Sequence, residues 1–359
     1  MIGRSGHSAG LAPDPLAVVG GRLCTGLVDV TSDLAALDSS GFWAVVIPFD
    51  GEVICARFDR VRPARPWPGP SWRGPSTDTW NDSLPHDEFV EAVGVIRSEI
   101  AAGNVYQVNL TRHLQSPLLR SIPHGSDLST DVAALGAELA LGNPAPFSAV
   151  VRLPEQGIHV ASASPELFLG RNGRRIWSSP IKGTSCTRSG FLAKDAAENV
   201  MIVDLVRNDL GRVCDWGSIH VPDLMRVEEH PGLFHLVSTV EGSLRDGLGW
   251  ADAIDATFPP GSVTGAPKLA ALKAIARLEP QSRGVYCGAV GWVDADRVEG
   301  ELNVAIRTFW IADDALHFGT GGAITYDSTP EGEWAETTLK AQNLLRVAQG
   351  RVGDGDRVS

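Results

Sequence analysis

The chain of 359 residues is long enough to bury a large core, and 43% hydrophobic with 21% charged residues is the composition of a soluble globular enzyme. A net charge of -12 without a basic patch argues against a nucleic-acid partner, and no apolar run reaches the roughly eighteen residues of a membrane span. Cys24, Cys55, Cys186, Cys214 and Cys287 are scattered without a C-x-x-C pair, which speaks against a zinc site or disulfide framework and for a reducing, cytoplasmic setting.

Residues 1–15, rich in Gly, Ser and Pro, are expected to form a loose arm. Residues 41–49 and 52–58 are two apolar runs joined by Asp50-Gly51, a strong hairpin signal. Five prolines then interrupt residues 63–75, which with Trp67 and Trp72 read as a surface connector pinned by its indoles. Pro85 opens a helix in which Phe89, Val93, Ile96 and Ile100 form one apolar stripe up to Gly103. In the strand that follows, Tyr106, Val108 and Leu110 alternate with Gln107, Asn109 and Thr111. Such a polar face is either the wet side of a sheet or the wall of a pocket. Residues 115–130 are a polar, turn-rich excursion.

Residues 147–153 and 158–163 form a further hairpin pattern that leads into Ser164-Pro-Glu166. Residues 167–170 and 176–179 read as the arms of the next hairpin, turning at Arg171-Asn-Gly173, before Pro180-Ile-Lys-Gly-Thr184. Glu166 and Lys182 therefore flank one hairpin, where paired strands bring such side chains within reach. Taken alone, Lys182 reads as a solvated cation at a loop tip. Asp195 and Glu198 share one helical face that Ile202 and Leu205 continue, so they stand at the rim of the core or complement the helix dipole.

His235 interrupts an apolar run and reads as a core histidine. Residues 258–267 form a glycine-proline loop closing onto a helix at Pro267, with Leu272, Ile275 and Ala276 facing inward and residues 262–266 offering an anion cradle. The loop matches neither G-x-G-x-x-G nor the Walker pattern. Strands are expected over 285–293, 302–311 and 315–318, with Arg307 inside the second and in need of an anion. The glycines of residues 319–324 permit either a close backbone approach or a tight turn. On the last helix, about 331–349, Glu333, Glu336, Lys340, Leu344 and Val347 share a face. Two glutamates on an inward face call for a cation, and hard oxygen ligands suit Mg2+; the alternative is a solvated surface helix.

Tyr106-Gln-Val-Asn-Leu, Ser164-Pro-Glu166, Pro180-Ile-Lys-Gly-Thr, Glu198-Asn-Val-Met-Ile-Val-Asp-Leu-Val-Arg-Asn-Asp, His235-Leu-Val-Ser, Gly261-Ser-Val-Thr-Gly-Ala-Pro-Lys, Ile306-Arg-Thr and Glu333-Trp-Ala-Glu336 follow one another in order. In these motifs the chain resembles the chorismate-utilising enzymes over residues 40–349. The resemblance implies an α/β (α+β) fold: a single large chorismate-binding domain of two antiparallel β-sheets packed as a sandwich, with helices outside. Residues 16–84 then belong to the same domain as a catalytic core over 85–349, and 350–359 form a tail.

Family members that add water to chorismate carry a lysine base where this chain has Gln107, and glutamine implies that the nucleophile is an amine. Anthranilate synthases carry alanine where this chain has Lys182, whereas a lysine there is similar to the aminodeoxychorismate synthases. The resemblance then implies a catalytic set of Lys182, Glu166 and His235. It implies substrate contacts from Gln107, Thr264, Tyr286, Arg307, Gly321, Gly322 and Lys340, and Mg2+ held by Asp195, Glu198, Glu333 and Glu336. The expected reaction is amination of chorismate at C4 through a covalent Lys182 intermediate. No Gly-x-Cys-x-Gly glutaminase motif occurs, so ammonia is expected from solution or from a separate glutamine amidotransferase. The family's Gly-Thr-Arg is Gly183-Thr-Ser185 here, with Arg188 the nearest arginine, and no leucine-glutamate-serine segment of a tryptophan pocket stands near the start. Anthranilate synthase component I and a catalytically silent binding subunit are the alternative readings.

Overall fold

Two apolar runs separated by a glycine bend pair as strands. Phe42–Ile47 lies antiparallel to Ile54–Pro63, with Gly51 at φ 139° between them. The computed structural model describes residues 13–118, 128–185, 187–191, 193–230 and 233–350. All six residues of Phe42–Ile47 are buried, because Ala289–Asp294 pairs along the free edge and core residues cover both faces.

From there the pairing runs through Glu299–Val304, Leu167–Asn172 and Arg175–Ser179 to Leu233–Ser243. In the other direction Arg22–Thr31 and Leu16–Val19 lead to Phe147–Leu153, then Ile158–Ser164, Thr308–Ala312, Ala315–Ile324 and Gln107–Pro117. Every pairing is antiparallel, and the strands join into one hydrogen-bonded network.

Six α-helices lie among the described residues: α1 His86–Ala101, α2 Val132–Gly142, α3 Ala193–Gly211, α4 Trp250–Thr257, α5 Lys268–Leu278 and α6 Pro330–Ala348. Phe89, Val93 and Ile96 of α1 are fully buried, and the chain leaves the helix through Gly103 at φ 77°. The short α2 has no strong stripe in sequence, and Asp131 starts it by accepting from Ala133 N at 2.8 Å. On α5 the buried residues are Ala271, Ala274 and Ile275, so Ala276 faces solvent instead of the core. Three apolar clusters result, one gathering α3 and α4, one gathering α2 and α6, and one gathering α1 and α5. Trp72 of the proline-rich connector is buried and donates to the Ala348 carbonyl at 2.5 Å, which pins the connector to the end of α6. None of the described helices is long and apolar enough to cross a membrane. Cys24, Cys55, Cys214 and Cys287 are buried free thiols, and Cys186 lies outside the described residues. The 115–130 excursion is a strand as far as Pro117, and residues 119–127 lie outside the description.

Two neighbouring strands break at one level, and this break shapes the interior. The expected strand over 302–311 is two strands, because Glu299–Val304 pairs with Leu167–Asn172 while Thr308–Ala312 pairs with Ile158–Ser164. The change of partner is absorbed at Arg307, which takes φ 50°, a left-handed conformation sparsely used by a residue with a Cβ. Opposite it, Pro165 and Glu166 bridge the matching gap. The 319–324 glycines form no turn but continue the strand Ala315–Ile324, because a Cβ on Gly321 would meet the Leu110 carbonyl at 2.7 Å.

Candidate active site

The double break turns Glu166 inward, where it is 4% exposed. Its carboxyl lies beside the Ser262 hydroxyl and the Ile181 backbone N–H and feels the charges of Lys182 and Arg307, all of which favour its ionised form. Burial outweighs these partners and pushes the carboxyl from 4.5 up to about 7. Lys182, in the strand Ile181–Ser185, donates from Nζ to the Ser262 carbonyl at 3.1 Å. Burial lowers its pKa, opposed by Glu198, Glu166 and Glu336 and assisted by Lys340. The hairpin expected to bring Glu166 and Lys182 together does so, with Gly173 at φ 59° in its turn. Arg307 is half-buried and its pKa is lowered by burial, against the pull of Glu166. Its anion within the protein is therefore Glu166.

The acids of α3 and α6 border the same region. Asp195 lies against Gly183, where a Cβ would meet the aspartate Cβ at 2.9 Å. Burial raises the pKa of Glu198, with Lys182 and Lys194 opposing and Glu336 and Asp195 adding to the rise. Glu333, also raised by burial, accepts from the Ser328 hydroxyl at 2.6 Å. For Glu336 burial pulls upward, but Lys340, Lys194 and Lys182 together bring it below its ordinary value. Lys340 Nζ stands 2.7 Å from Glu336 and donates to the Gly321 carbonyl at 3.2 Å. Gly322 is buried against Glu333, whose Oε2 a Cβ would meet at 3.0 Å. Among the described residues, no three His, Cys, Asp or Glu side chains are gathered at metal-ligand spacing, and lysines stand between these acids.

Gln107 is fully buried, and neither atom of its amide meets a partner among the described residues. The polar face of its strand is thus an interior wall, and Tyr106, just before the strand, is 68% exposed. His235 is buried in Leu233–Ser243, as its apolar neighbours imply. Thr264 gives its hydroxyl to the Pro260 and Gly261 carbonyls, and Tyr286 packs under Gly319 beside Arg283 and Cys287. The 262–266 loop holds Lys182 and Glu166 instead of forming a helix-end cradle, and α5's first residue, Lys268, pairs with Asp209 at 2.6 Å. The contact of Ser262 with Lys182 went unread in the sequence because a backbone carbonyl, a group every residue carries, makes it.

A family model of chorismate binding enzymes matches residues 56–346. The chain belongs to this family of chorismate-utilising enzymes. It is 39% identical over 285 residues to anthranilate synthase component 1 of Streptomyces coelicolor, covering 76% of this chain and 53% of that one. It is 36% identical over 282 residues to aminodeoxychorismate synthase component 1 of Escherichia coli, covering 75% and 59%. The chain therefore spans little more than half the length of these relatives. Among solved structures, MenF, the menaquinone-specific isochorismate synthase from Escherichia coli, superimposes with TM-score 0.79 at 17% identity, over 95% of this chain and 90% of that one. Anthranilate synthase component I from Streptococcus pneumoniae gives 0.72 at 22% identity, over 96% and 94%. The fold is shared with both.

Proposed function

We propose that the chain aminates chorismate at C4 to 4-amino-4-deoxychorismate, a precursor of 4-aminobenzoate and folate, with ammonia supplied by a separate glutamine amidotransferase. The observation that carries this reading is the pairing of Lys182 with Glu166, an amine whose pKa burial lowers beside a carboxyl raised to about 7. A lowered pKa favours the free, nucleophilic amine, and a carboxyl at about 7 can give up a proton at neutral pH.

Lys182 Nζ attacks C2, both ring double bonds shift one position towards C4, and the C4–O bond breaks as Glu166 gives its proton to the departing hydroxyl, releasing water. Ammonia then forms the C4–N bond, the C2–Nζ bond breaks to free the amine, and Glu166 recovers a proton from the new ammonium. Gln107, whose buried amide meets no partner among the described residues, orients the ring or the ammonia and does not deprotonate. Arg307, Lys340 and the Gly321–Gly322 backbone hold the substrate carboxylates, and His235 lies beside the ring carboxylate. Thr264 and Tyr286 shape the walls from behind, since their described contacts are with the protein.

Glu198, Glu333 and Glu336 with Asp195 would hold Mg2+, whose charge would offset the repulsion of Glu336 and Asp195 on Glu198 and of Glu336 on Glu333. Bound there, it supplies positive charge for the ring carboxylate.

The second reading, anthranilate synthase component I, is favoured by the 39% identity to the Streptomyces coelicolor enzyme. Incubating the chain with chorismate, ammonium and Mg2+ and identifying the product by mass separates the two. We expect 4-amino-4-deoxychorismate, with Lys182→Ala lowering turnover at least about 100-fold. Anthranilate as product, or full turnover by the variant, would reject the proposal.

A further inference from the structure

Two charged residues that close sequence motifs have no part in the chemistry above. Asp209 lies near the end of α3 and Lys268 opens α5. They meet inside the protein, where Lys268 Nζ donates to Asp209 Oδ2 at 2.6 Å and to the Thr257 carbonyl at 2.9 Å. Asp209 is 6% exposed, and Arg212 is the other cation acting on it. A buried ion pair commonly adds little stability over an apolar pair of the same volume, so its presence asks for another role. Asp209 lines a cleft with Ser178, Val206, Thr257 and Ser262, and Glu166 forms part of the same wall. The cleft's empty space, open side included, is about 320 Å³, with room for a water-sized molecule beside polar groups. Glu166 thus borders this cleft and also interacts with Lys182 and Arg307.

We propose that Asp209 and Lys268 are a positioning pair that controls whether Glu166 carries its proton, acting across the cleft through water held by the Ser178 and Ser262 hydroxyls. The proposal rests on Glu166 being the proton donor of the reaction above. The intact pair presents almost no net charge, which leaves the buried carboxyl protonated. Asp209→Asn leaves Lys268 and Arg212 as uncompensated cations on that side, which favours the carboxylate. Lys268→Met removes one cation, leaves Asp209 opposed by Arg212 alone, and so favours the protonated acid relative to the unaltered chain. Lys182 and Arg307 act in both variants alike, so the opposite signs belong to the pair.

Carbon-13 spectra of the full chain carrying labelled glutamate test this, with Glu166 assigned by the resonance lost in Glu166→Gln. The midpoint is expected near about 7 in the unaltered chain. It is expected to lie roughly one pH unit lower in Asp209→Asn and roughly one unit higher in Lys268→Met. The alkaline limb of chorismate turnover should move with it. A pair that only holds the fold together would weaken thermal stability in both variants and leave the midpoint in place, or move it the same way in both. Either result overturns the proposal. Ser178→Val, which carries methyl groups into the cleft without stranding a charge, covers the case of a charge variant that does not fold. It should raise the midpoint, and an unchanged value overturns the proposal. The spectra need no turnover, so a different product from chorismate would reject the proposed reaction without touching this result.

Discussion

At Glu166 the fold holds a carboxyl where water would ionise it. Its pKa is raised from 4.5 to about 7, so over that window the folded chain keeps a proton that the unfolded chain gives up. This group's contribution to stability is therefore greatest below 4.5, declines as pH rises towards about 7, and is flat beyond; the full change is about 3 kcal/mol. Glu166→Gln, which cannot ionise, is expected to lose that part of the slope when urea unfolding is followed across the window. An unchanged slope would place the carboxyl in a far more polar setting. The Glu166–Lys182 juxtaposition was legible because a hairpin signal lies between the two residues. The protein contacts that Thr264 and Tyr286 make were not, since a hydroxyl bonded to its own loop looks the same in sequence as one that is free.

Helices could be read where an apolar stripe and terminal signals agree, as in α1 and α6, and were missed where the segment is short or apolar all round, as in α2. The break at Arg307 was hidden because Val304-Ala-Ile-Arg-Thr-Phe309 has unbroken strand character, and the change of partner is set by distant strands. Packing also decides how α2 tolerates change. Gly136 lies where a Cβ would come within 2.3 Å of Val150 Cγ2, whereas a Cβ on Gly94 of α1 would meet no neighbouring element within 4 Å among the described residues. Alanine in place of helical glycine gains about 1 kcal/mol, but forced overpacking costs about 1–3 kcal/mol. Gly94→Ala should therefore stabilise and Gly136→Ala destabilise in thermal unfolding. Stabilisation by both would mean that α2 sits farther from its sheet than the close contact implies.

Across the whole molecule, one arginine joins the parts that carry the site. Arg283 donates to the Val263 and Asn109 carbonyls, both at 2.8 Å, and to Glu279, which in turn accepts from Thr111 N at 2.8 Å. It thereby ties the end of α5 and the strand Gln107–Pro117 to the loop against which Lys182 rests. Arg283→Met should cost about 3–5 kcal/mol, because it leaves Glu279 as an unpaired buried charge. Urea unfolding measures this, and a loss below about 1 kcal/mol would show that the link is dispensable. Neither the tie nor the single strand network was visible in sequence, since both depend on partners more than a hundred positions apart. The motifs of the site were visible because each sits in one short segment.

The account turns on an amine that forms a bond to its substrate, and intact-mass spectrometry reads that bond directly. Mixed with chorismate and Mg2+ and quenched without ammonia, the chain is expected to gain the mass of chorismate less one water. The gain should map to the peptide bearing Lys182 and be absent from Lys182→Ala. An unmodified Lys182 in a preparation that still aminates chorismate at C4 when ammonia is added would contradict the account.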